Sequence, residues 1–188
     1  MMRHEPHSFW QFSLGLYRIK DVADACLLLQ DCCGADVNLL LYCCWLGEAG
    51  RTLDKRALRA AMAAVCRWQS EVIKPLRLVR RTLKSLPDKL TGCPTGALRK
   101  RIGALEIDME YVEQRLLAEA SLRLPVARRR SPPRLATAAS IARYLALLEV
   151  TADRAEAQVA TILDACCPID SKARARKPKG KSKTALTR

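Results

Sequence analysis

Apolar residues recur along this chain at steps of three and four and never alternate over a strand-length run, so the pattern predicts helices throughout. They are densest from Cys26 to Gly47, CLLLQDCCGADVNLLLYCCWLG, the stretch on which the rest is expected to pack. Gly34 divides it. A left-handed C-cap there closes a helix that begins at Asp21, and Asp36 caps the next one. On the first of these helices Val22, Ala25, Cys26, Leu29 and Cys33 share a face, which Leu27 and Leu28 widen. The second has no charged residue from Leu39 to Leu46 and should be buried on most sides. It is too short to span a bilayer, which takes ~20 apolar residues.

Ahead of this pair, Ser8 and Gln11 form a capping box for a helix over about Phe9 to Ile19, with Phe9, Phe12, Leu16 and Ile19 on one face. Behind it, Gly47 and Gly50 end the second helix, and Thr52 or Asp54 caps a long one that runs to about Leu86. Its stripe is Leu58, Met62, Val65, Trp68, Val72, Leu76, Val79, Leu83 and Leu86, and Pro75 is expected to kink or split it. Residues 87–96 read as a turn. A helix over about Ala97 to Arg123 carries Leu98, Ile102, Leu105, Met109, Val112 and Leu116 as a coiled-coil seam. Residues 124–133, with Arg128 to Arg130 and three prolines, form a loop. One last helix runs from Ser131, Pro132 and Pro133 to about Cys166 through Ile141, Leu145, Leu148, Ala152, Ala155, Val159 and Ile162. The expected fold class is all-α: a helical bundle of three short N-terminal helices packed against three long antiparallel ones. It occupies residues 8–167, after a flexible end at 1–7 and before a disordered basic tail at 168–188.

Charge adds a partner class. The chain carries a formal +14, yet residues 171–188 hold eight Lys or Arg and no acid, which leaves +6 for residues 1–170. Lys172, Arg174, Arg176, Lys177, Lys179, Lys181 and Lys183 could contact nucleic acid nonspecifically by releasing counterions, or could simply solubilise the chain. No aromatic is interleaved among them for base stacking. A second basic feature lies opposite the apolar stripe of the long third run: Arg67, Lys74, Arg77, Arg81 and Lys84. It would track phosphates, or pair with Glu106, Asp108, Glu110, Glu113 and Glu119 of the following helix; the second outcome is favoured.

Candidate chemistry is sparse. The start, MMRHEPHSFW, lacks the pattern of a secretory signal, so the nine cysteines are read as reduced thiols packed as small hydrophobes in a cytoplasmic protein. No Cys-Xaa-Xaa-Cys pair occurs, and the two histidines, His4 and His7, sit at the loose start, so neither a metal nor a cofactor is expected. Gln30, Asp31 and Asn38 are polar groups on apolar helices and need partners. With Trp45 they form the candidate polar site. Asp31 also opposes the dipole of its own helix end, which points to a specific contact.

The runs FWQFSLGLYRIKDVADACLLLQDCCGADVNLLLYCCWLG, IKPLRLVRRTLK and LRKRIGALEIDMEYVEQRLL resemble a bacterial family known only as a domain of unknown function, over about Ser8 to Leu122. The resemblance implies a small cytoplasmic helical protein of proteobacterial type and carries over no activity or ligand. The reading favoured from sequence is a non-catalytic interaction or adaptor protein with an unidentified protein partner and spare seam surface for a homodimer. Its alternatives are a nucleic-acid-associated protein, and an enzyme or small-ligand binder with a pocket near Gln30, Asp31 and Asn38.

Overall fold

The computed structural model describes residues 7–85, 95–125 and 130–168, which are helical with no strand among them. The expectations for residues 1–6, most of the turn at 87–96, Arg128 and Arg129, and the basic tail from Ser171 onward fall outside these residues.

Helix α1 (Ser8–Tyr17) is capped by His7, whose Nδ1 accepts from the Trp10 amide at 3.2 Å. The expected Ser8 cap is thereby displaced by one residue; an imidazole nitrogen does the work of the hydroxyl. Helix α2 (Val22–Cys33) ends at Gly34 with φ +66°, where the Gly34 and Ala35 amides reach back to Gln30 and Leu29. Asp36 then caps α3 (Val37–Glu48) by accepting from the Asn38 and Leu39 amides at 2.8 and 3.4 Å. Both ends were legible because their chemistry is local.

Helix α3 is the axis of the fold. It is buried on nearly all sides and touches α1, α2 and α6 (Thr95–Leu122), with α7 (Pro133–Leu147) its most extensive partner. Gly47 permits that approach: a Cβ there would stand 2.8 Å from the backbone of Thr137. Trp45 stacks on Phe9 at 5.0 Å between ring centroids, and Phe9 meets Tyr42 edge-on. Helix α8 (Ala152–Cys166) packs on α2.

The interruption expected around Pro75 takes the form of a π turn: α4 (Lys55–Trp68), capped by Asp54, gives way at Gln69–Ile73 to a π turn and then to α5 (Lys74–Ser85). Proline has no N–H for the Glu71 carbonyl and its ring would crowd that group in a regular helix. Widening the preceding turn accommodates both, with Lys74 N–H bonding Gln69 O. The buried register therefore runs Leu58, Ala61, Val65, Gln69, Ile73, in place of Trp68 and Val72.

The final helix, expected to be single, is two. Helix α7 stops where Glu149 takes φ +59°, and the Val150 and Glu149 amides return to Leu145 and Ala146; the left-handed residue at this end parallels Gly34 at the end of α2. No glycine or proline marks this break. It is made by α8 turning back to cover α2.

The expected coiled-coil seam on α6 (Thr95–Leu122) is not its buried face. Leu98 and Leu105 are exposed, whereas Glu113, Gln114, Tyr111 and Leu117 are buried. Helix α6 faces α1, α3, α4 and α5 together, and what it presents to α3 and the π turn is polar.

Candidate functional site

Polar side chains meet where α3, the π turn and α6 converge. Glu113 is fully buried, and its carboxyl accepts from Asn38 Nδ2 at 2.6 Å and from Gln69 Nε2 at 2.8 and 2.9 Å. Gln114 Nε2 in turn donates to Asn38 Oδ1 at 2.8 Å. Gln69 stands four residues after Val65, on the buried face of α4 where the π turn begins.

Burial pushes the Glu113 carboxyl up to about 9, helped by the charge of Asp36 and a hydrogen bond to it, and opposed by the Gln69 and Asn38 amides. At neutral pH Glu113 is thus a carboxylic acid that donates to the Asp36 carboxylate, the group that caps α3. Tyr144 of α7 closes the arrangement by accepting from the Asp36 amide at 2.8 Å, which leaves its own O–H proton available.

Asp36, Gln69 and Tyr144 line one end of an open cleft of about 520 Å³ between the α2–α3 junction and the α4–α5 helix. Its apolar lining is Leu39, Met62, Val65, Leu78 and Leu148. Charged side chains line it as well. Arg77 donates to Gln30 Oε1 at 2.6 Å and to Glu110 Oε1 at 2.7 Å, and Arg81 donates to Asp31 Oδ1 at 3.0 Å. Lys74 also lines the cleft and has no ion pair among the described residues. Glu110 is held above the usual carboxylate range by burial, against the pull of Arg77.

The sequence-derived candidates are only partly brought together. Gln30 and Asp31 lie in the cleft, and the contact sought for Asp31 is Arg81. Asn38 belongs to the hub behind it and lines a second cavity of about 270 Å³ on the α1 side. Trp45 is not at the cleft; it is a core residue against Phe9. The basic row divides: Lys74, Arg77 and Arg81 turn to the cleft, while Arg67 pairs with Glu71 one turn away on its own helix. The acids of α6 meet it as expected at Arg77–Glu110, and also at Arg80–Glu106. The row therefore presents no unbroken line of uncompensated cations. Glu113, expected to be an edge charge, is the centre of the hub. Gln69, Gln114 and Tyr144 had no signal in the sequence beyond lying near Pro75, beside Glu113 and on an apolar stripe.

These features define an all-helical protein with a buried polar hub beside an open cleft of mixed apolar and charged lining. Residues 8–117 match a family described as a protein of unknown function, DUF2390, and the chain belongs to that family. The matched span contains the whole hub and every residue of the cleft except Tyr144 and Leu148. No curated protein and no solved structure matches the chain. No helix among the described residues is long and apolar enough to cross a membrane.

Proposed function

We propose that the chain is a small-molecule-binding protein whose site is the cleft at the α2–α3 junction, and that its ligand has an apolar body and a single anionic end. The observation that carries this is that Lys74, Arg77 and Arg81 line the same cleft as the apolar side chains of Leu39, Met62, Val65, Leu78 and Leu148. The volume lies in the range of ligand pockets, and a largely apolar lining with a few polar groups is the usual composition of such a site. Arg77 is held by two partners, so the cations free to turn to a ligand are Lys74 and Arg81, the latter by exchanging its exposed pair with Asp31. The acid at Glu113, neutral at pH 7, keeps negative charge at that end down to Asp36 alone.

The test is titration calorimetry with hexanoate and phenyl phosphate against their uncharged counterparts, hexanol and phenol. Binding of the anions only, weakened about tenfold or more by Lys74→Ala or Arg81→Ala, supports the reading. Equal binding of charged and uncharged probes refutes the assignment of the cations.

A second reading, the adaptor favoured from sequence, is supported by α5. That helix has no buried residue, and Leu78 and Val79 are 66% and 48% exposed. It predicts a protein partner that co-purifies from extract after nuclease treatment and with the chain ended at Asp170. Loss of that partner under either treatment favours the nucleic-acid role of the tail instead.

A further inference from the structure

Helices α5 and α6 form an antiparallel hairpin, with the Arg77–Glu110 and Arg80–Glu106 pairs running up one helix and down the other. Helix α5 packs chiefly on α6. Each helix carries an apolar stripe at steps of three and four: Leu76, Val79 and Leu83 on α5, and Leu98, Ile102 and Leu105 on α6. At ~100° per residue each stripe is offset in the same rotational sense from the ion-paired residues of its own helix, so in an antiparallel pair both fall on one side of the hairpin. No residue of either stripe is buried, and Val79, Leu98 and Leu105 are 48%, 42% and 42% exposed.

The charge of this arm is one-sided. Residues 74–85 and 95–105 hold eight Lys or Arg and no Asp or Glu, while residues 1–170 are +6 overall, so outside these two stretches that span is net negative. Arg77, Arg80 and Arg81 are paired with Glu110, Glu106 and Asp31. Lys84, Arg99, Lys100 and Arg101 are exposed and have no ion pair among the described residues. Arg99 and Arg101 border the α6 stripe, one on each side.

We propose that this arm is an interfacial anchor, which lays its two-helix apolar face on an anionic lipid bilayer. The stripes enter the boundary between headgroups and acyl chains, as the apolar face of a Lys- and Arg-rich amphipathic helix does. The unpaired cations reach the lipid phosphates, and their long aliphatic stems cover apolar surface on the way. Neither helix is long and apolar enough to cross the bilayer, so the arm lies along it. Charge decides among the occupants. A second copy on the same face brings a second set of eight cations against the first. A nucleic acid meets the cations but leaves the leucines against a phosphate backbone, and residues 74–105 hold no Phe, Trp or Tyr on which a base could stack. Two helices side by side present a flat face, and an anionic bilayer meets both its leucines and its cations.

The experiment floats the full chain with vesicles of phosphatidylcholine and phosphatidylglycerol in equal parts, and with vesicles of phosphatidylcholine alone. Binding is expected to the anionic vesicles only, and to fall as salt is raised. The basic tail is present throughout, so a variant isolates the arm. Val79→Ser, Leu98→Ser and Leu105→Ser together should weaken vesicle binding by about tenfold or more, whereas attraction by the tail would be untouched. These side chains are exposed, so the urea midpoint should hold. A second variant leaves the apolar face intact: Arg99→Gln, Lys100→Gln and Arg101→Gln together should weaken binding on the order of tenfold to a hundredfold. Equal binding to both vesicles, binding to neither, or a serine variant that binds as the parent does overturns the proposal. So does a parent that sediments as a dimer which the serine variant lacks, since the face then belongs to a second copy. A glutamine variant that loses binding to an RNA duplex while its vesicle binding is unchanged also overturns it, and assigns the cations to nucleic acid.

Discussion

Replacing Glu113 with Gln should make the protein more stable at alkaline pH and leave it unchanged in mild acid. In the unfolded chain this carboxyl titrates near 4.5, whereas in the fold it keeps its proton to about 9. The folded state binds that proton more tightly, so the group's contribution is complete below pH 4.5 and is lost as pH rises toward 9. The limiting slope is ~1.4 kcal/mol per pH unit, and by pH 7.5 the accumulated loss is on the order of 4 kcal/mol. Glutamine has the shape of the protonated acid. Its carbonyl can accept from Asn38 and Gln69, and its amide can donate to Asp36 as the acid does. Urea unfolding of both proteins from pH 5 to pH 9 reads the difference directly, since every other titrating group is common to both. The midpoints should coincide near pH 5 and diverge steadily, with the variant the more stable. A difference that does not change with pH would refute the reasoning, as would a variant less stable than the parent at pH 5 by more than ~1 kcal/mol, the worth of an ordinary hydrogen bond.

Asn38→Leu should cost about 2–4 kcal/mol in the same assay, because it leaves the buried Glu113 and Gln114 each short of a partner. Gly47→Ala should destabilise by roughly 2–3 kcal/mol through overpacking, and Thr137→Ala should not rescue it fully, since the clash is with Thr137 backbone as well as its hydroxyl. Glu149→Gly should raise the unfolding midpoint by about 1 kcal/mol in equivalent stability, because it relieves a left-handed conformation in a non-glycine residue. Asp31→Asn should tighten phenyl phosphate several-fold by releasing Arg81, measured by the same calorimetry.

The parts of this protein that a reader of the sequence can place are those whose cause lies within a few residues. Gly34, Asp36 and Asp54 end or begin helices because a left-handed residue or a carboxylate satisfies backbone groups one turn away. The all-round apolarity of Leu39 to Leu46 marked α3 as the buried axis, and the need of Gln30, Asp31 and Asn38 for partners was visible from their apolar surroundings. Who those partners are was not. Gln69 meets Glu113 because α6 packs against the start of the π turn, and Glu113 is met there also by the amide of Asn38 on α3. The leucine seam of α6 lost to that polar face because α6 is enclosed on several sides by different helices, so no single stripe decides what is buried. Glu149 breaks the last helix for a reason that lies in α2, which α8 must return to cover. Local capping and hydrophobic period fixed most of the helices; the cleft and the hub exist only where separate helices meet, and side-chain pairing across such distances leaves no periodic trace along the chain.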